Sequence, residues 1–337
     1  MTSPSNLLIT GGAGFIGSSF VRLAAARGHH VVVLDALTYA GHRANLESVK
    51  AELVVGDIRD GALVSKLLRE HAIDAIVHFA AESHVDNSIS KPAAFIETNI
   101  VGSYILLEAA REYWKEKKGD FRFVHVSTDE VYGSLGPTGK FSEATPMKPN
   151  SPYSASKAAG DHLAHAWFST YGLPTIITNC SNNYGPRQHP EKLIPHMITC
   201  ALAGKPLPVY GDGKNIRDWI HVEDHCAGVM LALTKGTPGE TYCFGGNAER
   251  TNIDVVKNIC KTLDALKPRK DGQPYEKQIA YVTDRLGHDR RYAIDDSKAS
   301  SALGFTRAHD FESGLKATVG WYLANTTWCE TVTKRVA

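Results

Sequence analysis

The sequence predicts an α/β fold built on a doubly wound parallel sheet. Short apolar runs alternate with stretches of helical periodicity through the first half of the chain, the pattern of a parallel sheet with helices on both faces. The first run, Leu7-Leu8-Ile9-Thr10, leads straight into a glycine turn, Gly11-Gly12-Ala13-Gly14-Phe15-Ile16-Gly17, and then a helical pattern through Arg27. The second, His30-Val31-Val32-Val33-Leu34, ends in a carboxylate, Asp35. Strand, glycine turn, helix, strand and acid in that order form the first half of a Rossmann-type dinucleotide site.

Each element has its own reason. Glycines let the backbone turn tightly and approach a pyrophosphate, which the helix N-terminus then holds. Gly11, Gly14, Phe15, Ile16 and Gly17 are therefore candidate cofactor contacts. Asp35 falls about 20 residues beyond the turn, where an acid bonds the adenosine ribose and repels a 2′-phosphate, favouring NAD over NADP. The alternative is a simple turn cap. A third strand, Glu52 to Gly56, ends in Asp57 and Ile58, suited to an adenine edge and an apolar clamp, although Asp57 could equally cap the helix expected from Asp60 to His71. The fourth, Ala75 to Phe79, opens into Ala80 and Ala81, small enough for a dinucleotide to lie close, and then Glu82 to Asp86. A long helix is expected from about Ala93 to Lys117, its charged end from Lys115 to Lys118 being a solvated face. A fifth strand, Phe123 to Val126, and a sixth, Pro174 to Thr178, complete the set, without an internal repeat.

Bulk properties narrow the function. With 337 residues, 43% hydrophobic, the chain can bury a large core of one or two α/β domains. A net charge of +1 gives no footprint for nucleic acid or an acidic membrane. Six cysteines without a C-x-x-C pair read as free thiols in a reducing compartment. The N-terminal residues lack a signal-like pattern and no apolar run approaches the ~20 residues of a membrane span. The expectation is a soluble, cytoplasmic protein. No H-e-x-x-H or paired C-x-x-C spacing suggests a metal, and none is expected.

The chemistry is expected at Ser127-Thr128-Asp129-Glu130-Val131-Tyr132-Gly133, where two acids follow the fifth strand on the ligand side of the sheet. Two adjacent carboxylates can divide acid and base roles when burial and mutual repulsion raise one pKa. Tyr153 and Lys157 are four apart and share a helical face. A nearby ammonium and a positive nicotinamide favour tyrosinate, lowering the tyrosine pKa toward that of a general base. Alone, such a pair is usually a surface pair. Downstream of a dinucleotide loop it is a candidate catalytic couple.

Through the glycine turn, Asp35 and Tyr153/Lys157, the sequence resembles the extended short-chain dehydrogenase/reductase family, and within it the 4,6-dehydratases of nucleotide-linked glucose. The closer resemblance lies in Leu37 to Gly41, Ala80 to Asp86, Thr128 to Gly133, Asn179 to Arg187, Glu191 to Pro195, Arg217-Asp218-Trp219 and Asp284 to Tyr292. One departure, His42-Arg43-Ala44, lengthens a loop on the adenosine side. The resemblance implies tightly bound NAD that is regenerated each cycle. It adds Leu37, Thr38, Ser83, Thr98 and Asn183 to the cofactor contacts. For a dTDP-linked glucose it implies contacts from Ser83, Thr128, Asn182, Lys192, Leu193 and Asn252. Tyr153 would take the 4-hydroxyl proton as base while the C4 hydride moves to NAD, Glu130 would take the C5 proton, and Asp129 would protonate the departing 6-hydroxyl. It also implies a homodimer through the two long helices.

In the second half, Pro208, Val209 and Tyr210 could stack on a nucleobase or pack in a core. Arg217 suits a diphosphate, or an ion pair with Asp218. Asn252 could cap its helix. Asp284, His288 and three arginines between 284 and 291 again suit a diphosphate. The expected division is a cofactor domain at 1–180, rejoined by 213–240, with 181–212 and 241–337 forming the sugar-nucleotide lobe. A UDP-glucose dehydratase, an epimerase, which has no use for the Asp129/Glu130 pair, a nucleotide-sugar decarboxylase and an inert NAD-binding scaffold are the competing readings.

Overall fold

The computed structural model describes residues 5–117, 119–284 and 287–333, so Lys118 and Arg285 lie outside the described residues. Its strands are β1 (Asn6–Thr10), β2 (His30–Asp35), β3 (Glu52–Val55), β4 (Ala75–His78), β5 (Arg122–Thr128), β6 (Thr175–Cys180), β7 (Asn182–Tyr184), β8 (Leu207–Tyr210), β9 (Ile216–His221), β10 (Thr241–Phe244), β11 (Glu249–Thr251) and β12 (Ile279–Val282). Its helices are α1 (Phe15–Ala26), α2 (Gly61–Glu70), α3 (Val85–Ser90), α4 (Pro92–Phe95), α5 (Ser103–Glu116), α6 (Pro152–Tyr171), α7 (Leu193–Leu202), α8 (Val222–Lys235), α9 (Asn252–Leu266), α10 (Ser297–Leu303), α11 (Phe311–Ala324) and α12 (Thr326–Thr333).

Seven strands form one sheet in the order β10-β6-β5-β4-β1-β2-β3. All its pairings are parallel. Strand periodicity divides the apolar residues between its faces. Leu7 and Ile9 of β1 pack with Phe20 and Val21 of α1 and Val229 of α8. Leu8, between them, points the other way, to a cluster with Leu67 of α2 and Leu106 and Leu107 of α5. A separate core of Ile198, Trp219, Val256, Ile259, Phe311 and Tyr322 holds the lobe. There β9 lies between β7 and β11, and β8 pairs with β12.

The expected division fails at three places. Thr241–Phe244, placed in the lobe by sequence, is the edge strand β10, in parallel register with β6. Helix α8 packs on the sheet and returns the chain to that open edge. Ala299, Leu303 and Phe305, at and just after α10, join Phe244 in the same core. Conversely β9, within 213–240, pairs with β7 and β11 in the lobe's sheet.

The long helix expected from Ala93 to Lys117 is interrupted: between α4 and α5 the segment Ile96–Gly102 is π-helical. By length and composition alone, Pro92–Glu116 could cross a bilayer, contrary to expectation. In the fold, Leu106, Leu107, Ala110 and Tyr113 of this helix pack into the core. Its apolar character thus has a use in packing.

Candidate active site

A cavity of about 550 Å³ opens where β1, β2, β4, β5 and β6 end. That is the expected place for a ligand in a doubly wound sheet. On one side lie Gly11, Gly14, Phe15, Ile16, Gly17, Asp35, Thr38, Asp57, Ile58, Phe79, Ala80, Ala81, Ser83 and Thr98. The glycines are required. A Cβ on Gly17 would lie 2.2 Å from the Gly11 carbonyl oxygen. Gly11 itself adopts φ +70°, with the Ala80 nitrogen 2.5 Å from where its Cβ would be. These contacts leave a groove only bare backbone can line, which fits a dinucleotide pyrophosphate.

Asp35 does more than end a strand. Its Oδ2 accepts the Ala13 N–H at 2.8 Å and its Oδ1 the Leu37 N–H at 2.8 Å. The carboxylate therefore ties the glycine turn to the next loop, and each oxygen keeps a lone pair for a ribose hydroxyl. Leu37 has φ +50°. Its side chain does not line the cavity, so its part is to donate to Asp35. Asp57 caps no helix: Asp60 caps α2, accepting from the Leu63 N–H at 2.9 Å. Asp57 instead accepts from Arg59, and that bond holds its carboxyl below the usual range.

On the other side, Thr128, Glu130, Tyr153, Lys157, Asn182, Asn183 and Lys192 line the wall. Asp129 does not. Both acids were expected on the ligand side, but the short 3₁₀ turn Asp129–Tyr132 places Asp129 in the interior, 1% exposed. Its Oδ1 accepts from the Thr128 hydroxyl at 3.4 Å. Oδ2 has no hydrogen-bond partner among the described residues. Burial, then Glu130 and Asp218, push the Asp129 carboxyl well above the usual carboxylate range. It is the member of the pair built to keep a proton.

The expected lowering at Tyr153 needs Lys157 and a bound, positive nicotinamide together, and it acts against the surroundings that the protein itself supplies. Burial, followed by Glu130, Cys180, Tyr39 and Asp129, raises the tyrosine pKa well above the usual phenol value. Lys157 stands one turn further along α6. Its Nζ donates to the Val126 carbonyl at 2.8 Å, and burial lowers its own pKa.

The nucleotide-side residues are not on this wall. Leu193, Pro208, Val209, Tyr210, Arg217, Asn252, Asp284 and His288 all lie outside the lining. Three of them gather separately: the Tyr210 and His288 rings meet edge-on at 6.3 Å, and His288 Nδ1 is 2.6 Å from Asp284 Oδ1. Arg217 donates to the Asp289 carbonyl at 2.9 Å, with its guanidinium 4.2 Å from the Tyr292 ring. Asp218 instead accepts the Gly246 and Ala248 N–H groups. Asn252 is the first residue of α9; the cap is Thr251, which accepts from the Asp254 N–H. Val209 is buried, as its core-packing alternative had it.

Sequence reasoning missed several residues. Tyr39, Glu82, Gln188, His189 and Glu191 line the cavity. Asn99 lies behind it, accepting from the Glu82 N–H at 2.9 Å and donating to the Glu82 carbonyl at 3.0 Å and Ser156 Oγ at 2.9 Å. It sits in the π-helical turn, a feature often found at functional sites. No periodicity announces such a turn; Tyr39 and Glu191 lay within the stretches of resemblance. Two sets, His30/Glu52/His71 and His221/Glu223/His309, bring possible metal-ligand atoms within 4.8 Å of one another. Neither set lines the cavity.

Comparison with known proteins agrees with this geometry. The GDP-mannose 4,6 dehydratase family model matches residues 8–318. The chain is 61% identical over 333 residues to a dTDP-glucose 4,6-dehydratase of Xanthomonas campestris pv. campestris (strain B100), covering 96% of this chain and 95% of that one. Against dTDP-glucose 4,6-dehydratase 1 of Escherichia coli (strain K12) identity is 54% over 344 residues, covering 97% and 95%. The Streptomyces venezuelae dTDP-glucose 4,6-dehydratase DesIV, solved with NAD and dTDP bound, superposes with a TM-score of 0.89 at 48% identity, covering 97% of this chain and 99% of that one. The chain belongs to the GDP-mannose 4,6 dehydratase family and, within the extended short-chain dehydrogenase/reductases, groups with its dTDP-glucose 4,6-dehydratases.

Proposed function

We propose that the protein dehydrates dTDP-glucose to dTDP-4-keto-6-deoxyglucose, with NAD as a cofactor that ends each cycle as it began. The carrying observation is the unequal acid pair: Glu130 on the cavity wall, Asp129 buried beside it. An epimerase needs the tyrosine and lysine but no such pair.

The residues divide the work. Tyr153 accepts the proton of the sugar 4-hydroxyl, and Thr128 bonds the same oxygen. NAD⁺ held in the groove of Gly11, Gly14 and Gly17 beside Asp35 would supply the hydride acceptor for C4 and, once reduced, the hydride donor for C6. With C4 a ketone, the C5 proton is acidic and Glu130 removes it. Asp129, kept protonated by burial just behind the wall, is the source of the proton with which the 6-hydroxyl leaves as water, and the 3₁₀ turn that carries it must present it to the cavity for that step. Lys157 is the cation that supports Tyr153. Lys192 and Asn182 reach the sugar nucleotide, while Tyr210, Arg217, Asn252, Asp284 and His288 belong to its nucleotide end, away from the reacting carbons.

The same reading extends to assembly and setting. Tyr104 and Tyr171 are 46% and 47% exposed on the outer side of α5 and α6, and Trp167 touches both rings. Exposed aromatics on these helices support a homodimer there. Ala158 and Ala164 take no part, being buried in the fold. All six cysteines are free thiols, which supports a reducing cytoplasm. The cofactor domain comprises 1–180 with α8, β10 and α10; the remainder forms the sugar-nucleotide lobe.

Substrate deuterated at C4 tests the reaction. Label should appear at C6 of the same sugar, and label in free reduced cofactor would refute it. Glu130→Gln should still bind the sugar nucleotide yet make no product. Turnover of UDP-glucose equal to that of dTDP-glucose would remove the thymidine preference, to which a base methyl contributes about 1–3 kcal/mol and the ribose 2′-position is the other difference. A monomeric mass by light scattering would reject the dimer.

A further inference from the structure

Beneath the strand end that carries Thr128 lies a buried polar layer outside the cavity lining. Asp161 stands one helical turn beyond Lys157 on α6, and both side chains are in the interior, 1% and 5% exposed. Asp161 Oδ2 accepts from Asn179 Nδ2 at 3.0 Å. The same amide nitrogen donates to the Thr128 carbonyl at 3.2 Å, and Asn179 Oδ1 accepts from the Tyr132 hydroxyl at 3.2 Å. Asp161 Oδ1 is 3.3 Å from His125 Nε2, within charge contact but out of line for a hydrogen bond. Gly160 makes room for that imidazole: a Cβ there would come within 3.0 Å of it.

The charges in this layer nearly balance. Burial, then Lys157, keeps the His125 pKa below its usual value, and Asp161, one turn along α6 from Lys157, is the anion whose charge raises the lysine pKa against burial. An ammonium this deep loses its proton unless an anion is fixed nearby. Removing one partner of a buried pair leaves the other uncompensated.

We propose that Asp161 is a positioning residue for the reaction: the fixed anion that holds Lys157 as an ammonium and, through Asn179, sets α6 in register with the Thr128 end of β5. It acts only through Lys157 and Tyr153 and depends on the roles proposed for them above. The groups coupled by charge to Lys157 are Asp161 on its own helix, His78 on β4, His125 on β5 and Cys180 on β6, and Tyr153 stands one turn before it on α6. Tyr153 in turn faces Glu130, Asp129, Cys180 and Tyr39. Removing the negative charge of Asp161 disfavours the lysine cation, so the Lys157 pKa falls and the alkaline limb of the pH profile, where that cation is lost, moves toward acid.

The test measures kcat and KM for dTDP-glucose against pH in the holoenzyme and in Asp161→Asn, Asp161→Glu and Lys157→Met. Asp161→Asn should move the alkaline limb of the profile acidward by about one pH unit. Its kcat should fall at least about tenfold and its KM change less than about threefold. A profile in the wild-type position, or moved toward alkali, overturns the proposal whatever happens to kcat or melting temperature, because lost packing does not titrate. Should Asp161→Asn not fold, Asp161→Glu decides. It keeps the charge and shifts it by a methylene, so an unmoved profile with reduced kcat is expected, while a displaced profile or full kcat overturns the proposal. Wild-type kcat in Lys157→Met would instead overturn the Tyr153–Lys157 assignment itself.

Discussion

Asp129 links stability to catalysis, and replacing it with asparagine separates the two. In the unfolded chain an aspartate titrates near ~3.9. In the fold, burial is the largest influence on its carboxyl, with Glu130 and Asp218 adding to it and Arg217 and the Thr128 hydroxyl opposing, and its pKa is raised. From about pH 4 up to the folded pKa, the native protein keeps a proton that the unfolded chain has released. Stability therefore falls as pH rises, at most by roughly 1–2 kcal/mol per pH unit, the linkage slope of one proton. Asparagine cannot titrate and escapes that loss. Its amide brings a buried donor that costs about 1–3 kcal/mol, but equally at every pH. The stability of Asp129→Asn relative to wild type should thus climb with pH, by roughly 2 °C in unfolding midpoint per unit for a chain of this size. Meanwhile kcat should drop about 10²- to 10⁴-fold for want of the acid. Paired melts from about pH 5 to 8 read the first effect. A difference that stays flat, or narrows as pH rises, would refute a proton held by burial.

Two further substitutions probe the framework around the pair. Gly17→Ala places a Cβ 2.2 Å from the Gly11 oxygen, so the variant should purify without its dinucleotide, and a full complement by ultraviolet absorbance would contradict the groove. Asn99→Ala removes two bonds to the Glu82 backbone and one to Ser156, so denaturant unfolding should show a loss of about 2–4 kcal/mol. A loss below about 0.5 kcal/mol would mean the π-helical turn does not hold that loop.

Much of the first half was legible because its signals are local. Leu7-Leu8-Ile9-Thr10 and the glycine turn occupy the stretch where β1 and the following turn form. Asp35 ends β2 as read. What sequence could not show is which way a side chain faces after a strand ends. Asp129 and Glu130 look equivalent in sequence, yet one turn of 3₁₀ helix sends them to opposite sides of the cavity wall. Tertiary pairing was also invisible. Thr241–Phe244 has no local feature that assigns it to β6 rather than to the lobe, and the assignment follows from where α8 delivers the chain. Asn99 is silent for the same reason, since its partners Glu82 and Ser156 are 17 and 57 residues away.

The upward shift at Tyr153 has a consequence for how the two acids and the tyrosine share one site. Lys157 and the positive nicotinamide together are expected to lower the tyrosine pKa, while among the protein's own groups Glu130 is the largest charge acting on it, and it acts upward. The carboxylate that serves as base in the second step therefore opposes ionisation of the base in the first. Glu130→Gln removes that opposition. Tyr153 should then ionise at lower pH, and the acid limb of sugar oxidation should move acidward by about one unit, even though dehydration stops. The oxidation is visible alone, as the near-ultraviolet absorbance of reduced nicotinamide in a single turnover. An acid limb in the wild-type position would show that Tyr153 does not feel Glu130, and the raised phenol would then have to be due to burial alone. A limb moved as expected would show that the positive charge of the oxidised cofactor and of Lys157 must outweigh Glu130 for each turnover to begin.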